Sequence, residues 1–313
     1  MNATLPRPIR KTKVLDLTTD LDLTTHDLVE LLNLTQKVKA TPQRYAKALT
    51  GKYLSLLFEK PSLRTRLTFE LAIKQLGGDA VTSIGPIGDR EPLKDVARNL
   101  DRWTQAIVAR TFSHQTILDL AQWSSVPVIN ALSDMYHPCQ AFADIFTLKE
   151  KFGDLRGVKL AFVGDGNNVA HSLMLNAARL GMHFALATPT GYEANAGVIA
   201  KAEQLAGESN GSIQITHNPS EAVSGANAVY TDVWASMGQE DEADARRRIF
   251  APYQVNDELM AQAAQGALFM HCLPAKRGQE TTDSVMESPA SVVFDEAENR
   301  LHAQKALLLM MLG

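Results

Sequence analysis

The stretch KLAFVGDGNNVAHSLMLNAARLGMHFALAT, residues 159–188, decides how the chain is read. KLAFVG (159–164) and HFALAT (183–188) are short apolar runs of strand type, and the segment 169–180 between them is amphipathic with helical spacing. A helix between two such strands makes them parallel neighbours. Working outward, runs of the same kind recur at YLSLLF (53–58), QAIVAR (105–110), VPVINA (126–131), NAVYTDV (227–233) and ALFMHCL (267–273). Amphipathic segments at 66–76, 91–102, 114–123, 140–152 and 195–206 alternate with them. This predicts an α/β fold. The polar turn KEKFGD (149–154), with Gly153 and Gly157, places a domain boundary near 148–155. The expected architecture is two domains, 1–150 and 151–295. Each has a central parallel sheet flanked by helices, with the active-site cleft between them. The last segment, about 296–313, reads as a helix with one very apolar face that packs back on the first domain.

The totals narrow the class. The chain has 313 residues, 45% hydrophobic and 21% charged, with net charge −4. This composition gives no sign of nucleic-acid or membrane-surface binding. Two cysteines, Cys139 and Cys272, make no disulfide framework and suit a reducing cytoplasm. No apolar run approaches the length of a membrane span. The opening MNATLPRPIRKTKV is basic and lacks the apolar centre of a signal peptide.

Polar residues gather just after the strands: EKPSLRTR after the first run, Arg110 and Thr111 after the second, LSDMYHPCQ after the third. GDGNN, TDVWASMG and HCLPAKRG follow later runs in the same way. Ligands of α/β sheets sit outside the carboxyl ends of the strands. The first of these stretches is unusual. FEKPSLRTRLTFELAIKQLGG (58–78) reads as a helix from Thr65 to Leu76 with Ser62 as N-cap and Gly77-Gly78 as its end. Lys60, Arg64 and Arg66 crowd the helix end that disfavours cations. An anion seated there accounts for them. The alternative is surface pairing with Glu59 or Glu70, which Arg66 reaches at i,i+4.

GDGNNVAHS (164–172) resembles a dinucleotide loop, but Val169 stands where the third glycine belongs. The next strand ends in Ala187-Thr188-Pro189, without the acid that grips a ribose. A nicotinamide cofactor is therefore not expected. Asn167 and Asn168 either contact a small ligand or cap the helix. His137, Cys139, His271 and Cys272 invite a metal reading, but neighbours on an extended strand face apart and no CxxC or HExxH spacing exists. No metal and no cofactor are expected. His137, before Pro138, reads as the start of a helix, where a neutral imidazole either donates to a carbonyl oxygen or is a packed or capping residue.

Phe58-Glu59-Lys60-Pro61-Ser62-Leu63-Arg64-Thr65-Arg66 resembles the carbamoyl-phosphate loop of the aspartate and ornithine carbamoyltransferase family, as does His137-Pro138-Cys139-Gln140. Gly164-Asp165-Gly166-Asn167-Asn168, Asp232-Val233-Trp234-Ala235-Ser236-Met237-Gly238 and His271-Cys272-Leu273-Pro274 resemble the ornithine branch. The likeness runs in order from about Val14 to the last helix. It implies transfer of the carbamoyl group of carbamoyl phosphate to the δ-amine of L-ornithine, giving citrulline and phosphate, in a homotrimer without cofactor. By matching position, Ser62, Leu63, Arg64, Thr65, Arg110, His137, Gln140, Cys272, Leu273 and Arg300 hold carbamoyl phosphate. Asn168, Asp232, Ser236 and Met237 hold ornithine. Arg64, Thr65, Arg110, His137 and Cys272 serve catalysis.

Two positions depart from the family pattern. Leu63 replaces a common threonine, and Pro86 stands where many relatives place a glutamine given to the neighbouring subunit's site. The polar stretch 236–252 is expected to be flexible and to fold over ornithine. Rival readings are a carbamoyltransferase for N-acetylornithine, putrescine or aspartate, and a catalytically silent ligand-binding relative.

Overall fold

The computed structural model describes residues 16–235 and 242–313. The basic N-terminal stretch, Ser236 and Met237 lie outside the described residues. The chain forms two compact units, one of residues through Phe142 together with Arg300–Gly313, the other of Ala143–Asn299. The division falls inside the Pro138–Phe152 helix rather than at the polar turn 148–155. Side-chain bonds explain why. Gln140 bonds Arg300 of the first unit, whereas Asp144 and Thr147 bond Tyr230 and Asn299 of the second.

The first unit carries a parallel sheet of β1 (Tyr53–Phe58), β2 (Asp79–Ile84), β3 (Ala106–Arg110) and β4 (Val128–Leu132), in the order β2-β1-β3-β4. Its core joins Leu57, Ile107, Ala109 and Val128 of the strands to Ala97, Ile117 and Leu120 of the helices Leu93–Leu100 and His114–Trp123. The second unit carries β5 (Lys159–Val163), β6 (His183–Ala187), β7 (Ser212–Thr216), β8 (Ala228–Thr231) and β9 (Leu268–His271), all parallel, in the order β7-β6-β5-β8-β9. Its inner strands are near-continuous apolar runs, as burial on both faces requires. The stretch 159–188 is β5, the helix Asn168–Arg179 and β6, as its spacing predicts.

β2 and β7 escape the sequence reading. Both are edge strands: DAVTSI is largely exposed and SIQIT only partly buried. The helix Thr25–Ala40, capped by Thr24 and Asp27 in a reciprocal box, also goes unread. The last helix runs Val293–Leu312, starting earlier than its apolar face indicates.

Strand order reverses between β1 and β3 in one sheet and between β5 and β8 in the other. These are topological switch points, where crossovers leave on opposite faces and open a crevice at the strand ends. The crevice of each unit holds its polar loops.

Gly166 shows how the second crevice is built. A Cβ at that position would lie 2.2 Å from Ala194 N and 2.5 Å from Glu193 C. Backbone of the 193–194 segment thus fills the space a side chain would take, and only glycine fits. Gly166→Ala should destabilise the chain by about 1–3 kcal/mol, the usual cost of forced overpacking. A thermal-denaturation midpoint unchanged from that of the parent would contradict this reading.

Candidate active site

The loop after β1 is laced to the loop after β3. Glu59 N donates to Arg110 O at 2.9 Å. The Glu59 carboxylate accepts from Phe112 N at 2.8 Å and Ile87 N at 3.3 Å. Lys60 Nζ lies 4.4 Å from the centre of the Phe112 ring. Glu59 is therefore a brace for this loop, a role the sequence reading did not give it. Glu70 accepts from Thr82 Oγ1 at 2.7 Å, so the i,i+4 partner proposed for Arg66 is engaged elsewhere.

The helix begins at Arg64, with Leu63 at the cap position and no side-chain cap bond. This corrects the expectation that Ser62 caps it. Ser62 is half-buried, and the first turn carries no acid. An uncapped helix start leaves N–H groups for an anion, and Arg64 adds charge beside them. The helix ends at Gln75, followed by Gly77 at φ +94.

Arg110 closes β3, where the pairing with β4 shifts register between Ala109 and Arg110. Such irregularities re-aim a side chain at a strand end. His137 is buried immediately before the Pro138–Phe152 helix. Burial, then the charges of Arg300, Arg110 and Arg64, hold its imidazole well below the ordinary range. Three guanidinium groups therefore act on one neutral histidine. Arg300 donates from Nη1 to Gln140 Oε1 and from Nη2 to Thr65 Oγ1, each at 2.7 Å. The fork locks Thr65 and Gln140, both buried, in fixed orientation. Ser62, Leu63, Arg64, Thr65, Arg110, His137, Gln140 and Arg300 thus all belong to the first unit.

The histidine has a measurable consequence. Its folded value lies below the ordinary 6.5, so protonation favours the unfolded chain. The stability it contributes is present above about pH 6.5 and is lost as pH falls from there through the folded value. Denaturant midpoints measured at pH 7.5 and 5.5 should fall less in His137→Gln than in the parent. Equal falls would contradict a neutral buried His137.

In the second unit, Asp232 follows β8 at the switch point. One carboxylate oxygen accepts from Asn167 Nδ2 at 2.8 Å. The other accepts from Val233 N at 2.8 Å and from Cys272 Sγ at 3.0 Å. Asn167 also caps the helix Asn168–Arg179 through Val169 N and Ala170 N. It therefore both caps that helix and orients the acid, while Asn168 opens the helix. Burial, then the neighbouring Asp232 charge, push the Cys272 thiol well up. At neutral pH it is a protonated donor.

Asp232, His271 and Cys272 bring donor atoms within 4.8 Å of one another. This corrects the expectation that His271 and Cys272 face apart. β9 ends at His271, and the chain turns through Leu273 at φ +56. The cluster still lacks a third free ligand. His271 Nδ1 accepts from Leu273 N at 2.8 Å, and Nε2 faces Glu280 Oε1 at 3.2 Å. With both ring nitrogens engaged, the donor set does not fit a metal.

The stretch expected to be flexible is partly a helix, Ala243–Phe250. Arg246 anchors it, donating from Nη1 to Asp165 Oδ2 at 2.8 Å and to Trp234 O at 2.9 Å. The guanidinium also lies 4.8 Å from the centre of the Tyr192 ring. A buried ion pair with aromatic stacking overrides the polar composition of this segment.

The chain's two parts match two family models. Residues 15–150 match the carbamoyl-P binding domain of aspartate/ornithine carbamoyltransferase, and residues 156–311 match its Asp/Orn binding domain. The chain belongs to the aspartate/ornithine carbamoyltransferase family. It is 52% identical over 290 residues to an ornithine carbamoyltransferase of Pyrococcus abyssi, covering 92% of this chain and 90% of that one. An ornithine carbamoyltransferase of Pyrococcus furiosus described as anabolic is 53% identical over 270 residues, covering 85% and 86%. The solved ornithine carbamoyltransferase structure from Pyrococcus furiosus superposes with TM-score 0.93 at 49% identity, covering 96% of this chain and 98% of that one.

Proposed function

We propose that the protein transfers the carbamoyl group of carbamoyl phosphate to the δ-amine of L-ornithine, releasing L-citrulline and phosphate. The observation that carries the reading is the gathering of Arg64, Arg110 and Arg300 on a buried neutral His137 beside an uncapped helix start. That environment suits a phosphate dianion joined to a polar carbonyl.

In this reading the first domain holds carbamoyl phosphate. Ser62, Leu63, Arg64 and Thr65 take the phosphate, and Arg110, His137 and Gln140 take the carbamoyl end. Arg300 acts through Thr65 and Gln140, both of which it bonds. The second domain supplies Cys272 and Leu273 and binds the amino acid. Asp232 takes the α-ammonium, with Asn168, Ser236 and Met237 around the substrate. The braced carboxylate has the charge that a free α-amine requires and that an acetylated one does not.

The chemistry follows from these placements. The neutral δ-amine attacks the carbonyl carbon, a C–N bond forms, and charge develops on the former carbonyl oxygen. Arg110, Thr65 and neutral His137 donate to that oxygen. The C–O bond to phosphate then breaks. Arg64 stabilises the departing phosphate, which accepts the proton released by the amine. Cys272, as a protonated thiol, orients the amine and is not a nucleophile.

We also infer a homotrimer. Leu63, Leu67 and Leu71 form an exposed apolar stripe on one helix, and Val81 and Ile84 are 67% and 61% exposed on edge strand β2. Exposed Pro86 follows that strand, at the position where a trans glutamine would stand. Light scattering at three chain masses is the expected reading; one chain mass would refute it. A cytoplasmic setting suits the thiol, and fractionation tests it. Among the described residues no helix is long and apolar enough to cross a membrane. The anabolic relative favours the citrulline-forming direction.

The test is colorimetric detection of a ureido product from carbamoyl phosphate with ornithine, N-acetylornithine, putrescine or aspartate in parallel. Product with ornithine alone is expected. Product with another amine instead would overturn the role of Asp232, and none with any amine would favour a silent relative.

A further inference from the structure

His271 is fully buried, and every polar group of its N–H and ring is engaged. Its backbone N–H donates to Glu296 Oε2 at 3.0 Å. Its Nδ1 accepts the Leu273 N–H at 2.8 Å, so the ring proton sits on Nε2. That proton is donated to Glu280 Oε1 at 3.2 Å. Glu280 is itself fully buried, and the same oxygen accepts from Lys276 N at 2.5 Å. One chain of bonds thus runs from the 276–280 turn through the imidazole to the backbone just past Cys272.

The turn it holds is a strained one. Leu273 adopts φ +56, a conformation a leucine avoids at a cost of about 1–3 kcal/mol. Such a residue persists only where its surroundings over-determine it. The side chain of Leu273 packs against the core of the second unit. Its N–H donates to His271 Nδ1 at 2.8 Å. Cys272, between the two, reaches Asp232 Oδ1 at 3.0 Å.

We propose that His271 is a positioning residue for the transfer: its Nδ1, held in register by Glu280, fixes the left-handed turn that sets the Cys272 thiol and the Leu273 backbone. This rests on the functional reading above, and it assigns work to a residue that reading leaves idle. The two ring nitrogens have separate duties. Nδ1 shapes the site, whereas Nε2 donates to one oxygen of a buried carboxylate and so serves stability.

Two substitutions separate them. In His271→Asn the amide oxygen replaces Nδ1 and keeps the Leu273 bond, but Glu280 loses its donor. In His271→Gln the amide nitrogen replaces Nε2 and keeps the Glu280 bond, but Leu273 loses its acceptor. The expected result is a crossed order. His271→Gln should have the higher denaturation midpoint of the two, yet kcat lowered about 10²-fold, the scale of a small misplacement in a site. His271→Asn should be less stable, yet within about 10-fold of the parent in kcat, the Leu273 bond being retained. A residue acting only on folding would give the same order in both measurements. Activity that follows stability, or equal kcat in the two variants, would overturn the proposal.

Alkylation of Cys272, followed by mass on its peptide, gives a readout independent of turnover. It should be faster in His271→Gln than in His271→Asn, and the reverse order or equal rates would overturn the proposal. A parent enzyme that makes no ureido product would refute the functional reading, and the alkylation rates would still judge this one.

Discussion

Arg110→Ala should lower kcat by on the order of 10²–10³-fold, the cost of removing one preorganised donor from a developing oxyanion. The argument starts in the backbone. β3 ends at Arg110, and the register shift against β4 falls between Ala109 and Arg110. The loop after β1 is fixed to that same residue through Glu59 N and Arg110 O. The side chain is one of three guanidinium groups whose charge acts on His137. Its position is set by the sheet, so its contribution costs no reorganisation when charge moves. Arg110→Lys should recover little, because an ammonium lacks the planar fork. KM for carbamoyl phosphate should rise far less than kcat falls, since Arg64 and the helix start remain. A near-normal kcat in Arg110→Ala would remove Arg110 from the oxyanion role.

Asp232→Asn should reduce kcat/KM for ornithine by about 10²–10³-fold, the scale of truncating one partner of a buried charge pair. Three donors now converge on a carboxylate: Asn167 Nδ2, Val233 N and Cys272 Sγ. An amide presents its own N–H groups to one or more of them, so the site loses both its charge and its geometry. The loss should fall on ornithine, with KM for carbamoyl phosphate nearly unchanged. A loss concentrated in carbamoyl phosphate would show that Asp232 does not bind the amino acid.

Much of this arrangement is legible in the sequence, and the parts that are not share a cause. Buried parallel strands such as KLAFV and HFALA announce themselves because both faces are apolar. β2 and β7 are edges, so neither is a fully buried apolar run and their register comes from a neighbour. The arginines at the start of the Arg64–Gln75 helix are readable because they violate the dipole preference. The bracing residues are not readable that way. Glu59, Asn167, Glu280 and Arg246 look like surface or capping residues until the fold shows which groups they hold. His271 misleads for a related reason. Strand alternation separates it from Cys272 on paper, but the strand stops at His271 and the turn at Leu273 brings their donor atoms together.

The most direct test of the central claim follows the bond itself. Carbamoyl phosphate labelled with ¹³C at its carbonyl and ornithine labelled with ¹⁵N at the δ-amine are incubated with the protein, and the ¹³C resonance of the product is recorded. The account predicts a ureido carbon split by one directly bonded ¹⁵N, with inorganic phosphate released in equal amount. A ureido carbon without that coupling would mean attack by the α-amine. A ¹³C signal found only in bicarbonate would mean that water, not the amine, takes the carbamoyl group.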